Sequence, residues 1–142
     1  MTTTMTVREN VPVLAMVGQD SPGTDVRFVR VDAADLREAS AITRRLRADA
    51  GDASVLLDVH VHLADDARTA RREVAESQRD AGAAVHYIGT PAGFAGLVAD
   101  IRSAGVADGI VAIPITDDPG TRRALRDVVA PMLHCGDVVD VA

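Results

Sequence analysis

Apolar residues along this chain keep to two spacings, and the chain switches between them several times. Residues 11–17 (VPVLAMV) form a short apolar run that ends in the turn-rich Gly18-Gln19-Asp20-Ser21-Pro22-Gly23. A second run, 25–31 (DVRFVRV), predicts a strand after only a brief loop. From about 35 to 48 the spacing becomes helical, with Leu36, Ala39, Ile42 and Leu46 on one arc and Arg37, Arg44 and Arg45 off it. Gly51 ends that helix. Residues 54–63 (SVLLDVHVHL) then alternate, separating Val55, Leu57, Val59, Val61 and Leu63 from Leu56, Asp58, His60 and His62. Asp65 and Asp66 put acids at the positive end of a helix reaching about residue 80, closed by Gly82. Thr90-Pro91 reads as the cap and first residue of another helix, with Phe94, Leu97, Val98 and Ile101 as its buried stripe and Gly105 as its end. Residues 109–115 (GIVAIPI) are wholly apolar, as a strand covered on both faces requires. Asp118-Pro119 opens a last helix with Leu125, Val128, Val129, Met132 and Leu133 inward and a kink at Pro131.

Strands separated by helices predict parallel pairing through right-handed crossovers, so the fold class is α/β. Four parallel strands alternating with helices fit a small open sheet or one half of a (β/α)8 TIM barrel. A complete barrel takes about 250 residues, against 142 here. Nothing interrupts residues 11–134, which predicts a single domain with 1–10 as a flexible arm and 135–142 as a tail. The net charge of −6 comes from 15 basic and 21 acidic side chains, every base an arginine. That balance and an aromatic content of 2% argue against a nucleic-acid binder. The arginine clusters Arg44/Arg45/Arg47, Arg71/Arg72 and Arg122/Arg123/Arg126 lie among acids on predicted helices, as solvated faces do. A lone cysteine, Cys135, excludes an internal disulfide framework and reads as a structural thiol, because no Asn or Asp orients His134 beside it. The opening MTTTMTVREN has no apolar stretch, so neither a signal peptide nor a membrane span is expected, and a soluble cytoplasmic protein is the expectation.

Several stretches taken in order bring out a family likeness. VLLDVHVHLADDARTARREVAE resembles the strand, acidic turn and Ala/Arg/Glu-rich helix of luciferase-like flavin-dependent monooxygenases. YIGTPAGFAGLVADIRSAGVADGIVAIPI, residues 87–115, is similar to that family's late GTP, helix, AGxDG and strand element. RRALRDVVAPML, 122–133, is similar to its helix with a VVP-L ending, and VPVLAMVGQDSPG, 11–23, more weakly to the strand and loop that cradle the flavin phosphate. The resemblance corresponds to the C-terminal half of the family's barrel. It implies a half-barrel fold and FMN or a deazaflavin as cofactor. It also implies Gly18, Gln19, Ser21 and Gly23 as the phosphate loop and a separate flavin reductase as partner. The resemblance does not extend to the family's N-terminal half, and the chain between Gly18 and Asp25 is too short for the helix that in the family normally follows the loop. No position matches a catalytic residue of the family, so the catalytic residues are unknown.

Among polar groups, Asp58, His60 and His62 share one face of the 54–63 strand. Two imidazoles two residues apart can reach one metal, but the D-x-H-x-H pattern needs further ligands, for which His86, His134, Asp117 and Asp118 are the conceivable donors. No metal is expected. The competing readings of this face are contact with a small-molecule ligand, contact across a subunit interface, or hydrogen bonding within the chain. Arg27 and Arg30 face opposite sides of the second strand, open to a phosphate or to solvent. Thr90-Pro91 is a capping device first, and Gly93 and Gly96 suggest close packing of helix on sheet. A half barrel leaves an inner face and two edges uncovered, which predicts a homodimer. Two functions fit: a flavin-dependent oxidoreductase whose site is assembled across that homodimer, or a non-catalytic scaffold that binds a small molecule or a protein.

Overall fold

The computed structural model describes residues 11–18, 28–50, 53–80, 82–136 and 138–141. Six strands form one sheet: β1 (Val13–Val17), β2 (Phe28–Val31), β3 (Ser54–Leu63), β4 (His86–Gly89), β5 (Gly109–Pro114) and β6 (Val139–Val141). Helices α1 (Leu36–Ala50), α2 (Ala67–Ser77) and α3 (Pro91–Ser103) alternate with them. A last helix, α4, starts as Pro119–Ala124, passes through a π-helical Leu125–Val129 and ends at Ala130–Leu133. Every strand pair is parallel. The class is α/β, and the curled parallel sheet forms a half barrel.

Within that form the strands do not follow chain order: across the sheet they run β2-β3-β5-β1-β6, with β4 also beside β3. The ten-residue β3 takes two strands end to end along one edge, β2 against Ser54–Leu57 and β4 against His60–Leu63. Its other edge carries β5. The N–H of Val85 donates to the carbonyl of Ala33 (3.2 Å) where β2 hands over to β4.

Odd positions of β3 (Val55, Leu57, Val59, Val61 and Leu63) enter the larger core with Leu14, Met16, Phe94, Val98, Ile101, Leu125 and Val129. This is the alternation expected of a half-buried strand. On the opposite face Ala15, Leu56, Val111 and Val141 form a second cluster, flanked by half-buried Val13, Val17, Phe28, Ile113 and Val139. That inner face is not bare: Ala15, Leu56 and Val111 are all 0% exposed.

Several expectations need correction. The segment 135–142, expected as a tail, contributes β6, which pairs with β1. Strand β4 also went unseen, because His86, Tyr87, Ile88 and Gly89 are too few to show a period. Helix α2 ends at Ser77 with Gln78 as its left-handed cap (φ 61°), several residues before Gly82. Gly105 (φ +74°) does follow the cap of α3 at Ala104. Gly96 is open, with nothing within 4 Å of a built Cβ, whereas at Gly93 a Cβ would fall 2.0 Å from the Tyr87 hydroxyl. On α4 only part of the expected inward stripe is buried: Leu125 and Val129 are 0% exposed, but Val128 is 41% and Met132 50% exposed. Pro131 cannot donate to the carbonyl four residues back and its ring crowds that turn. The chain widens there into the π turn, which rotates the following residues out of α-helical phase.

At the amino end of the sheet, the Asp108 carboxylate accepts from the Val55 N–H (2.8 Å) and from Arg47 Nη2 (2.8 Å). Gly109, next in the chain, pairs with Val13, and a Cβ there would lie 2.0 Å from the Val13 carbonyl oxygen. Backbone cannot yield as a side-chain tip does. Gly109→Ala is therefore expected to lower stability by about 1–3 kcal/mol, read as a reduced urea midpoint with unchanged slope.

Candidate functional site

The carboxyl ends of β3 and β5 and the amino ends of α2, α3 and α4 meet at one place, where parallel α/β sheets bind ligands. A cleft of about 310 Å³ lies there, its wall including Asp65, Thr69, Glu73, Asp118 and Arg123. Each helix amino end carries an oxygen cap. Asp66 accepts from the Thr69 N–H (2.7 Å), Thr90 from the Gly93 N–H (3.1 Å) and Asp118 from the Gly120 N–H (3.2 Å). These bonds satisfy donors that helix geometry leaves unpaired.

His62 lies beneath this cleft, 1% exposed. Its Nε2 is 2.9 Å from Glu73 Oε1 on α2. Its Nδ1 faces the hydroxyls of Thr116 (3.3 Å) and Thr121 (3.4 Å). Thr121 is itself fully buried and its Oγ1 accepts the Leu63 N–H at 3.0 Å. The arrangement is a carboxylate, an imidazole and two hydroxyls, with the carboxylate on the cleft wall.

The structure separates the three residues that share the β3 face. Asp58 is engaged by Arg30, whose Nε and Nη2 reach its two oxygens at 2.9 and 3.2 Å, a bidentate pair. His60 is half-buried and stands in register with His86 on β4. His62 alone belongs to the cleft network. Among the described residues, no group of three or more His, Cys, Asp or Glu side chains is placed to hold a metal.

In the loop expected to hold a phosphate, Gly18 is described, while Gln19, Ser21, Gly23 and Arg27 lie outside the described residues. The Gly18 N–H donates to the Val141 carbonyl (2.8 Å), and a Cβ at Gly18 would stand 3.3 Å from the Asp140 carboxylate. The Gly18 amide is therefore already bonded within the chain, and the neighbouring Asp140 carboxylate is paired with Arg126 (2.9 Å). Cys135 donates to the Ala130 carbonyl at 3.6 Å, and burial pushes its thiol up from the ordinary value, which makes it a poor nucleophile.

Glu73, Thr116, Thr121 and Arg123 were not singled out as site residues from the sequence. Glu73 sits in a run of helix-forming charged residues, and Thr121 lies within the first turn after a cap. Neither carries a local signal, because what joins them to His62 is separation in chain of 11 and 59 residues.

Among solved structures, the chain is similar to EDTA monooxygenase from Chelativorans sp. BNC1, a luciferase-like monooxygenase, with a TM-score of 0.62 at 15% identity. The match covers 76% of this chain and 39% of that one, so the chain spans well under half of its neighbour's length. At this identity the likeness supports the fold alone, that of part of the neighbour's chain. No protein-family profile matches the sequence, and no curated protein does. Among the described residues, no helix is long and apolar enough to cross a membrane.

The Asp66 carboxyl is held below its ordinary value of 3.8, first by the Thr69 N–H and then by the Thr69 hydroxyl. A carboxyl with a lowered folded value stabilises the fold above its unfolded value, and that contribution is lost as pH falls through the folded value. In acid titrations below 3.8, the wild type is thus expected to lose more stability than Asp66→Asn. The amide keeps a cap oxygen but does not titrate. Parallel melting curves for the two proteins would show the idea to be wrong.

Proposed function

We propose that the chain is a luciferase-like half barrel that binds a small polar molecule in the cleft at the carboxyl ends of β3 and β5. The observation that carries this reading is that Glu73, on the cleft wall, is bonded to the buried His62. A buried imidazole bonded to a half-exposed carboxylate is a means of presenting an oriented polar group to a ligand. Asp65, Glu73 and Asp118 line the space with one arginine, Arg123, an acidic excess that suits a ligand with hydrogen-bond donors better than a phosphate.

The second reading is a flavin-dependent oxidoreductase with its site assembled across a homodimer, favoured by the fold likeness to a luciferase-like monooxygenase, a family associated with a flavin-type cofactor. The cofactor, FMN or a deazaflavin, would supply the hydride or oxygen chemistry, with a separate reductase providing electrons. The Gly18 N–H is already bonded within the chain, so in this reading other groups of the loop and a second copy complete the site. The half-buried Val13, Val17, Phe28, Ile113 and Val139 on the inner face are the surface a partner would cover.

Titration with FMN, and separately with a deazaflavin, followed by fluorescence and calorimetry, separates the two. Saturable binding that weakens on replacing Gln19 and Ser21 supports the oxidoreductase; no binding to either by the folded protein removes it. A fragment screen read by amide shifts tests the cleft, and binders that shift only other surfaces would overturn that reading. Sedimentation at micromolar concentration tests the homodimer, where a stable folded monomer is the contrary result.

A further inference from the structure

We propose that His62 is a positioning residue, locked as the Nε2–H tautomer, which fixes Glu73 as the hydrogen-bond acceptor that the cleft presents to a ligand bearing N–H or O–H donors. The proposal rests on the cleft being the binding site and adds the group that recognises the ligand.

The tautomer follows from the group that Nε2 faces. Glu73 Oε1 lies 2.9 Å from it, and a carboxylate oxygen can only accept, so Nε2 carries the ring proton. Nδ1 is then free to accept a hydroxyl proton from Thr116 (3.3 Å) or Thr121 (3.4 Å). Both hydroxyl oxygens are also acceptors, Thr121 Oγ1 for the Leu63 N–H (3.0 Å) and Thr116 Oγ1 for the Asp118 N–H (3.3 Å). Buried polar groups are rarely left without partners, and in this assignment His62 uses both of its nitrogens.

The consequence falls on Glu73. Its Oε1 is held by a donor that is 1% exposed, while its own side chain is 39% exposed and lines the cleft. Among the described residues no other polar contact engages Glu73. Oε2 is thus left to accept from a molecule in the cleft, at an angle set by the imidazole. A carboxylate without such a partner samples several rotamers and loses part of the advantage on binding. Asp65 and Asp118 also line the space but are not held by a buried group of this kind.

Two measurements test this on the full chain. Imidazole nitrogen NMR should show His62 with a protonated Nε2 and an unprotonated Nδ1; the opposite tautomer, or fast exchange between the two, overturns the proposal. Guanidinium at millimolar concentration serves as a compact N–H donor probe. It should shift cleft amides of the wild type and bind about fivefold more weakly to His62→Leu, the size expected for the cost of immobilising one freed side chain on binding. His62→Gln, whose amide N–H can still donate to Glu73, should recover most of that loss. Equal affinity for wild type and His62→Leu, or no shift at the cleft of the wild type, contradicts the proposal. If His62→Leu does not fold, the tautomer measurement and the wild-type against His62→Gln comparison still decide it. The tautomer needs no ligand, so its failure is distinct from a failure of the cleft to bind anything.

Discussion

A strand buried in a sheet must find a partner for each N–H and C=O along both edges. Strand β3 is longer than any of its neighbours, and much of the molecule follows from how its ten residues are satisfied. One edge takes two short strands in line. The other takes β5, which stops short at both ends, and there side chains complete the ladder. The Asp108 carboxylate receives the N–H of Val55 and the Thr121 hydroxyl receives that of Leu63. The first bond draws Arg47 of α1 and, at 3.4 Å, Arg102 of α3 onto the same carboxylate. The second places a hydroxyl against His62. Backbone satisfaction at the end of one strand thus reaches directly into the chemistry of the cleft.

This coupling explains which parts of the protein were legible in the sequence. Strand β3 could be read from its alternation, and α3 from Thr90-Pro91 and its apolar stripe, because both signals are local and strong. Strands β4 and β6 could not, since four and three residues give no period. They are strands because β3 and β1 have edges to fill. The out-of-order sheet is equally silent in the sequence, where alternation of strand and helix says nothing about which side of β3 a crossover lands on.

The site shows the same division. Asp58, His60 and His62 were found together because a strand places alternate residues on one face. Parity alone could not show that an arginine claims the first, or that α2 and α4 cover the third. Of the polar face noticed in the sequence, one residue in three belongs to the cleft, and its partners come from segments that looked like solvated helix and simple cap. The half-barrel form positions these groups, while their chemistry depends on four side chains meeting from distant parts of the chain.

The π turn at Leu125–Val129 has a consequence of a different kind. A π turn holds one residue more than the α-helical turn it replaces. Helix α4 therefore contains a place where chain length is stored without moving its ends: Thr121 stays under the cleft, and His134 still closes the helix in a left-handed conformation. The segment is a built-in register adjuster. Losing one residue there would draw Val128 and Met132 back toward the face they now turn from, while the first turn, with its hold on His62, would remain where it is.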